Sequence, residues 1–286
     1  MEPKKGDVLT VHAPTFEVLT PDGWTSGLVE LIENAGRRCY KSEHKIAPGS
    51  APDFVARFCR DMGHTSMIEH ATASVVWTGS RAMSHQLVRH RIAAYSQESQ
   101  RYCDYGKKGF AVVPAQPMPL ATGRWEFGAI EHGACEGSPR WSHESGESIY
   151  ALNTTPTQEL LKFQWLSDCR DAYLKYLWWR DKAGFKAEDA RFKLPNETKT
   201  EVAATFNFHT WRHIFEHRGL NPRAQWEIRG IAQNVLRVFA ERWPSVFSDL
   251  AEKIDECNAK VQKSEGAYAL KREARQEQLV RSDFRC

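Results

Sequence analysis

Residues 86–102 read Gln86-Leu87-Val88-Arg89-His90-Arg91-Ile92-Ala93-Ala94-Tyr95-Ser96-Gln97-Glu98-Ser99-Gln100-Arg101-Tyr102. Arg89, Arg91 and Arg101 stand here with His90, Ser96, Ser99 and three glutamines, and Glu98 is the lone carboxylate among them. Such a mixture suits a surface that holds an anion. Guanidinium forks match phosphate or carboxylate geometry, and hydroxyls and amides complete the hydrogen bonds around the remaining oxygens. The plainer alternative is a solvated basic helix end. Met83, Leu87, Val88, Ile92 and Tyr95 interleave with the charges, which places the arginines beside a core.

Arg-His-Arg, seven residues, then Ser resembles the signature of the flavin-dependent thymidylate synthases. It is met here as Arg89-His90-Arg91 and Ser99, with Gln86 before it and Arg101-Tyr102 after it. Three further blocks resemble that family in the same order. Gly63-His64-Thr65-Ser66-Met67-Ile68-Glu69-His70 precedes the signature. Ala190-Arg191 with Leu194-Pro195 follows it. The last block runs from Asn207 to Arg218 and on to Ala224-Gln225-Trp226-Glu227-Ile228-Arg229. The chain departs from the family at Cys39, where serine is usual, at Gln97, where glutamate is frequent, and at His209, which replaces an arginine. The gap between Arg218 and Ala224 is one residue longer than usual.

The resemblance implies methylation of deoxyuridine monophosphate (dUMP) to thymidylate. Methylenetetrahydrofolate would donate the carbon, and FAD reduced by NADPH would donate the hydride. It assigns Gln86, Arg89, Gln97, Ser99, Gln100, Arg101, Arg191 and Arg218 to the nucleotide. Arg218 is the catalytic candidate, a guanidinium against the uracil ring. The same resemblance assigns His64, Ser66, Arg89, His90, Arg91, Gln97, Asn207, His209 and His213 to the flavin. Ser99 among arginines reads as a phosphate ligand rather than a nucleophile. The Pro-Cys-His pattern of the cysteine-dependent thymidylate synthases is absent. The implied fold is mixed α/β, a central sheet with flanking helices, and the implied assembly is a homotetramer with flavin between subunits.

Size and composition agree with a globular enzyme. The chain has 286 residues, 41% hydrophobic and 26% charged, with a formal net charge of +3. That charge is too small to argue for a nucleic-acid binder on global electrostatics. The first residues lack the apolar run of a signal peptide, and no stretch is long and apolar enough to cross a bilayer. Seven scattered cysteines without Cys-x-x-Cys favour reduced thiols and a cytoplasmic setting.

In chain order, 8–20 reads as strand. A helix capped by Thr25 or Ser26 follows and breaks near Gly36. A second helix runs from Ser50 to Gly63, and 63–70 reads as a loop. Ala71–Trp77 alternates as a strand, and Ser80 caps a helix through Arg89. Residues 103–154 are rich in Gly and Pro and suggest one strand, Phe110–Val113, so the segment reads as an insertion or lid. Thr155-Pro156-Thr157-Gln158 opens a long helix to about Lys182. Its buried stripe is Leu160, Leu161, Leu166, Cys169, Tyr173, Tyr176 and Leu177, and its further aromatics (Trp165, Trp178, Trp179) suit core or subunit contact. A helix from Phe208 closes at Gly219, and Asn221 caps another whose stripe ends before Pro244. The division expected is a synthase domain over 1–250 and a charged, exposed helix or tail over 251–286.

Two rival readings carry specific motifs. His213-x-x-Glu216-His217 matches an inverted zinc-peptidase pattern. His209, His213 and His217 drift by only ~40° per step around a helix, though Arg212 and Arg218 flank the motif and oppose a second cation. The other rival is a non-enzymatic nucleic-acid binder, since residues 207–240 resemble two helices around a turn.

Overall fold

A computed structural model describes residues 4–114, 120–129, 138–150 and 158–266. The Thr155-Pro156-Thr157 capping pattern and Pro117, Pro119, Gly133, Cys135, Gly137 and Cys286 lie outside the described residues. The elements in order are β1 (Val8–Val11), β2 (Thr15–Val18), α1 (Thr25–Cys39), α2 (Ala51–Val55), β3 (Thr72–Ser80), α3 (Arg81–Leu87), β4 (Ala94–Gln97), α4 (Tyr105–Lys108) and β5 (Ala111–Val112). Then come β6 (Gly123–Ala129), β7 (Pro139–His143), β8 (Ser148–Tyr150), α5 (Gln158–Asp181), α6 (Ala187–Ala190), β9 (Lys199–Asn207), α7 (Phe208–Ile214), α8 (Trp226–Arg242) and α9 (Pro244–Ala251). The fold class is therefore mixed α/β. Among the described residues no helix is long and apolar enough to cross a membrane.

The chain divides into two compact units. The first takes Met1–Glu17 and Ser74–Thr205, the second Val18–Ala73 and Phe206–Cys286. The strands form a four-stranded sheet in the order β2-β3-β9-β4 and a five-stranded sheet in the order β5-β1-β6-β7-β8.

The five-stranded sheet is the main correction to the sequence reading of 103–154. That segment supplies β5 to β8 rather than a single strand. β6 runs antiparallel to β1 with Leu9 opposite Trp125, and β7 runs antiparallel to β6 with Trp141 opposite Phe127. Period-2 alternation buries Trp125, Trp141 and Ile149 on one face. That face packs on Phe163, Leu166, Cys169, Tyr173 and Tyr176 of α5. Both indole N–H groups are satisfied, Trp125 by the Ala121 carbonyl at 3.0 Å and Trp141 by Ser167 Oγ at 3.1 Å. The stripe on α5 differs in part from expectation: Leu161 is exposed, while Phe163 and Trp165 are buried. Trp178 is 57% exposed.

The second unit is helical. α1 runs on to Cys39 rather than breaking at Gly36. Gly36 belongs inside it because a Cβ there would come within 2.8 Å of Phe54 and Met67. Its first turn is not capped by Thr25 or Ser26; the Thr25 hydroxyl donates instead to the Asp22 carbonyl. Ser50 gives its hydroxyl to Glu33 at 2.8 Å rather than to the end of α2. The turn after α2, Ala56–Asp61, is a π-helix in which the Met62 N–H reaches the Arg57 carbonyl. α7 likewise passes into a π-helical turn, Phe215–Gly219, closed by Leu220 N–H on the Phe215 carbonyl at 2.7 Å. α8 starts at Trp226, capped by Gln225, and Asn221 instead accepts from the Arg223 N–H in the preceding turn. Its stripe Ile228, Ile231, Ala232, Val235, Leu236 and Phe239 is buried as the periodicity predicts. Residues 254–266 are helical; Ile254, Cys257 and Val261 are buried along one face, while most of the other residues are exposed as the charged composition predicts.

Candidate active site

In the first unit, Ser80 caps α3 by accepting the Met83 N–H at 3.0 Å. The helix stops at Leu87, two residues earlier than expected, so Arg89-His90-Arg91 form the turn that follows it. Tyr95 pins that turn. Its hydroxyl lies 2.6 Å from the His90 carbonyl and 2.9 Å from that of Leu87, and burial raises its pKa to about 12. His90 is buried, while Arg89 and Arg91 are exposed. No carboxylate among the described residues pairs with either arginine. Ile92, expected beside a core, is 76% exposed. The bordering apolar residues that do bury are Met83 and Leu87.

Gln97 faces inward, donating its amide to Ser84 Oγ at 2.9 Å and to Thr200 Oγ1 at 3.3 Å. That ties β4 to α3 and β9. Ser99 opens the next turn, where its Oγ accepts the Arg101 N–H and its carbonyl accepts the N–H groups of Tyr102 and Cys103. Gln100 hydrogen-bonds the Tyr105 hydroxyl, which also donates to Glu98. Arg101 donates through Nε to Glu188 of α6 at 2.8 Å. Arg191 follows α6 with its guanidinium 6.0 Å from the Phe192 ring centroid. Arg81, which drew no attention in the sequence, carries a half-buried guanidinium. Burial lowers its pKa, the nearby Tyr105 works against this, and Arg191 lowers it further. No hydrogen-bond acceptor for its side chain is found among the described residues. The signal that could have found it was its place as first residue of the helix that ends at the signature. Gln86 lies in the last turn of α3 and is partly buried.

In the second unit, His64 and Ser66 line a cavity of about 480 Å³ together with Cys39, Tyr40, Gly63, Thr65 and His70. Gly63 turns the chain there with φ +71°, a conformation that favours glycine. Residues Thr65–His70 form a 3-10 helix rather than an open loop. The Tyr40 hydroxyl lies 2.6 Å from His64 Nδ1. Sequence reasoning gave Tyr40 no part here, because its partner is 24 residues away in the chain. Asn207 caps α7, its Oδ1 accepting the Thr210 N–H at 2.7 Å. His209 and His213 are exposed on α7, and Arg218 lies partly buried in the π turn. The ring of His213 meets that of His217 edge-on at 4.2 Å. Slight desolvation of the ring against the helix, and then the neighbouring His217, lower the pKa of His213.

These donors fit FAD. Exposed arginines without carboxylate partners suit an anionic pyrophosphate, and a cavity with imidazole and hydroxyl donors suits a polar ring edge. They fit zinc less well. The π turn intervenes between His213 and His217, and no group of three His, Cys, Asp or Glu side chains among the described residues could hold a metal ion.

Comparison with known proteins agrees. The sequence profile described as "Thymidylate synthase complementing protein" matches residues 24–245. The flavin-dependent thymidylate synthase of Geobacter sulfurreducens is 34% identical over 223 residues, 75% of this chain and 78% of that protein. That of Mycobacterium tuberculosis (strain H37Rv) is 34% identical over 244 residues, 83% of this chain and 87% of that protein. Among solved structures, thymidylate synthase X from Helicobacter pylori with FAD and dUMP superposes with a TM-score of 0.56 at 19% identity, covering 83% of this chain and 99% of that one. A UMP/dUMP methylase, PolB, from Streptomyces cacaoi superposes with a TM-score of 0.58 at 19% identity, covering 84% of this chain and 94% of that one. The structural likenesses show a shared fold, and nothing in the comparisons supports a zinc hydrolase or a nucleic-acid binder. With the profile covering most of its length and relatives alike over three quarters or more of it, the chain belongs to the flavin-dependent thymidylate synthase family.

Proposed function

We propose that this chain methylates dUMP to thymidylate. The observation that carries the reading is the turn after α3. There the family signature coincides with exposed guanidiniums that the described carboxylates leave uncompensated. Family membership supports the same reading. When bound, FAD reduced by NADPH supplies the hydride, and methylenetetrahydrofolate supplies the carbon.

The residues divide the work. Ser99, Gln100, Arg101 and Arg191, with Gln86, Arg89 and Gln97, receive the nucleotide, whose phosphate dianion needs several charge-assisted donors. His64, Ser66, Asn207, His209, His213 and the Arg89-His90-Arg91 turn, with Gln97, would hold the flavin. Arg218 faces the pyrimidine. Carbon 5 of uracil is a weak nucleophile, and a guanidinium at the N3/O2 edge lets negative charge build on the ring. Arginine stays protonated there, since its pKa lies above ~12. No covalent attack by a protein side chain is required, and Ser99 acts as a phosphate ligand.

The working form in this reading is a cytoplasmic homotetramer whose sites draw on neighbouring copies. Free thiols at Cys39, Cys59, Cys103, Cys169 and Cys257 agree with a reducing compartment. Residues 103–154 act as an elaboration of the first unit, carrying most strands of its five-stranded sheet, and 251–286 as a C-terminal extension to the synthase domain. The test is the visible spectrum of the purified protein. A flavin band that bleaches with NADPH, and thymidylate formed from dUMP and methylenetetrahydrofolate, is the expected result. Protein that takes up no flavin and makes no thymidylate overturns it.

A further inference from the structure

Arg101 reaches Glu188 through Nε at 2.8 Å, and that is its hydrogen bond among the described residues. Its two terminal nitrogens have no acceptor there, and the side chain is 55% exposed. The guanidinium presents two edges that can each take an oxyanion. The carboxylate uses the Nε side and leaves the outer fork for a second, bidentate partner. Glu188 is held in turn: it sits on α6, is 32% exposed, and has Lys186 and Arg191 close enough to stabilise its charge after Arg101 itself. Two arginines assigned to the nucleotide thus flank one carboxylate, Arg101 from the turn after β4 and Arg191 three residues beyond Glu188.

We infer that Glu188 is a positioning residue that holds Arg101 by its inner edge so that the outer fork meets the nucleotide phosphate. The inference deepens the functional reading above and rests on it. A rival role has the opposite sign. If Glu188 merely filled the anion position, it would compete with the phosphate, and its removal would tighten binding. The observed use of Nε alone argues for support rather than competition, since a competing carboxylate would occupy the terminal fork.

The experiment measures the dissociation constant of dUMP, by its perturbation of the flavin spectrum, in the wild-type holoenzyme and in E188A, E188Q, R101A and R101A/E188A. The expected result is a rise of about threefold to fivefold in E188A, the scale of an exposed ion pair. Flavin content and kcat at saturating dUMP stay unchanged. E188Q, whose amide oxygen still accepts from Nε, recovers most of the affinity. In the R101A background the E188A substitution adds nothing further. Unchanged or tighter binding in E188A overturns the proposal, as does full additivity in the double variant. If E188A fails to fold, E188Q carries the test, and binding in E188Q as weak as in R101A overturns it. Wild-type protein that loads flavin but takes up no dUMP sinks the functional reading, and this inference with it, before any variant is compared.

Discussion

Several arginines of the helical unit are locked into ion pairs, whereas Arg89 and Arg91 of the signature are not. In the second unit Arg37 pairs with Glu33 at 2.6 Å, Arg212 with both oxygens of Asp249, and Arg242 with Asp22 at 2.6 Å. These guanidiniums are structural cross-links. In the first unit Arg170 pairs with Asp7, and Arg180 with Asp104 two residues past the signature stretch. Around it, Arg89 and Arg91 form no ion pair among the described residues, Arg81 has only the Glu98 carboxylate charge nearby and no ion pair with it, and Arg101 spends one edge. The Arg191 charge near Arg81 disfavours its charged form, and an incoming anion would relieve that repulsion. The difference separates arginines that hold the fold from arginines that await a ligand.

The largest test concerns the scaffold that carries the ligand-facing set. Trp141→Ala empties a fully buried site between sheet and α5, and about 3–5 kcal/mol of stability should be lost in denaturant unfolding. A loss below about 1 kcal/mol would mean that the five-stranded sheet is not integral to its unit. Next, Arg218→Ala should lower kcat by about 10²–10³, the scale of one preorganised donor, while flavin content stays at wild-type level. Near-normal turnover in that variant removes Arg218 from its assigned role. The third test sets the two classes of arginine side by side. Asp249→Ala should cost about 2 kcal/mol by stranding Arg212, whose side chain is 14% exposed. Arg89→Ala should change stability by less than about 0.5 kcal/mol yet weaken flavin and nucleotide binding. Equal destabilisation in both would erase the distinction.

Much of this was legible in the sequence because the motifs are local. The cap at Ser80, the helix start at Phe208 and the apolar stripe of α8 each fall within a few residues of their partners. What was not legible depends on distant partners. Tyr40 meets His64 across 24 residues, and Glu188 meets Arg101 across 87. The strands of 123–150 are short and interrupted by charges, so their alternation gives a weak signal until β1 supplies a pairing edge. Gly36 looked like a helix end because sequence records its poor helix propensity but not the close approach of Phe54 and Met67.

Two smaller effects refine the comparison. Burial raises the Asp104 carboxyl, but the hydrogen bond and charge of Arg180, with the Gly106 N–H and Tyr176 hydroxyl, outweigh it and leave the pKa below its ordinary value. A depressed carboxylate stabilises the fold above its unfolded pKa, and that contribution disappears as pH falls through the folded one. The stability gap between wild type and Asp104→Asn should therefore be about 1 kcal/mol near neutrality and close progressively below about pH 4. A gap independent of pH contradicts the assignment. Ser99→Ala should retain turnover within about fivefold, since one neutral donor among several charged ones is lost. Abolished activity with flavin still bound would instead point to Ser99 as a nucleophile.

The wide turn at Phe215–Gly219 bears on how Arg218 is aimed. Each residue of an ordinary helix advances the azimuth by ~100°, and a bulged turn lags behind that schedule. Excising one residue there would let the ladder resume its usual pitch with little loss of hydrogen bonds. It would also swing the guanidinium about a quarter of a revolution off its bearing, so chain length across five residues acts as a compass setting for the whole helix end.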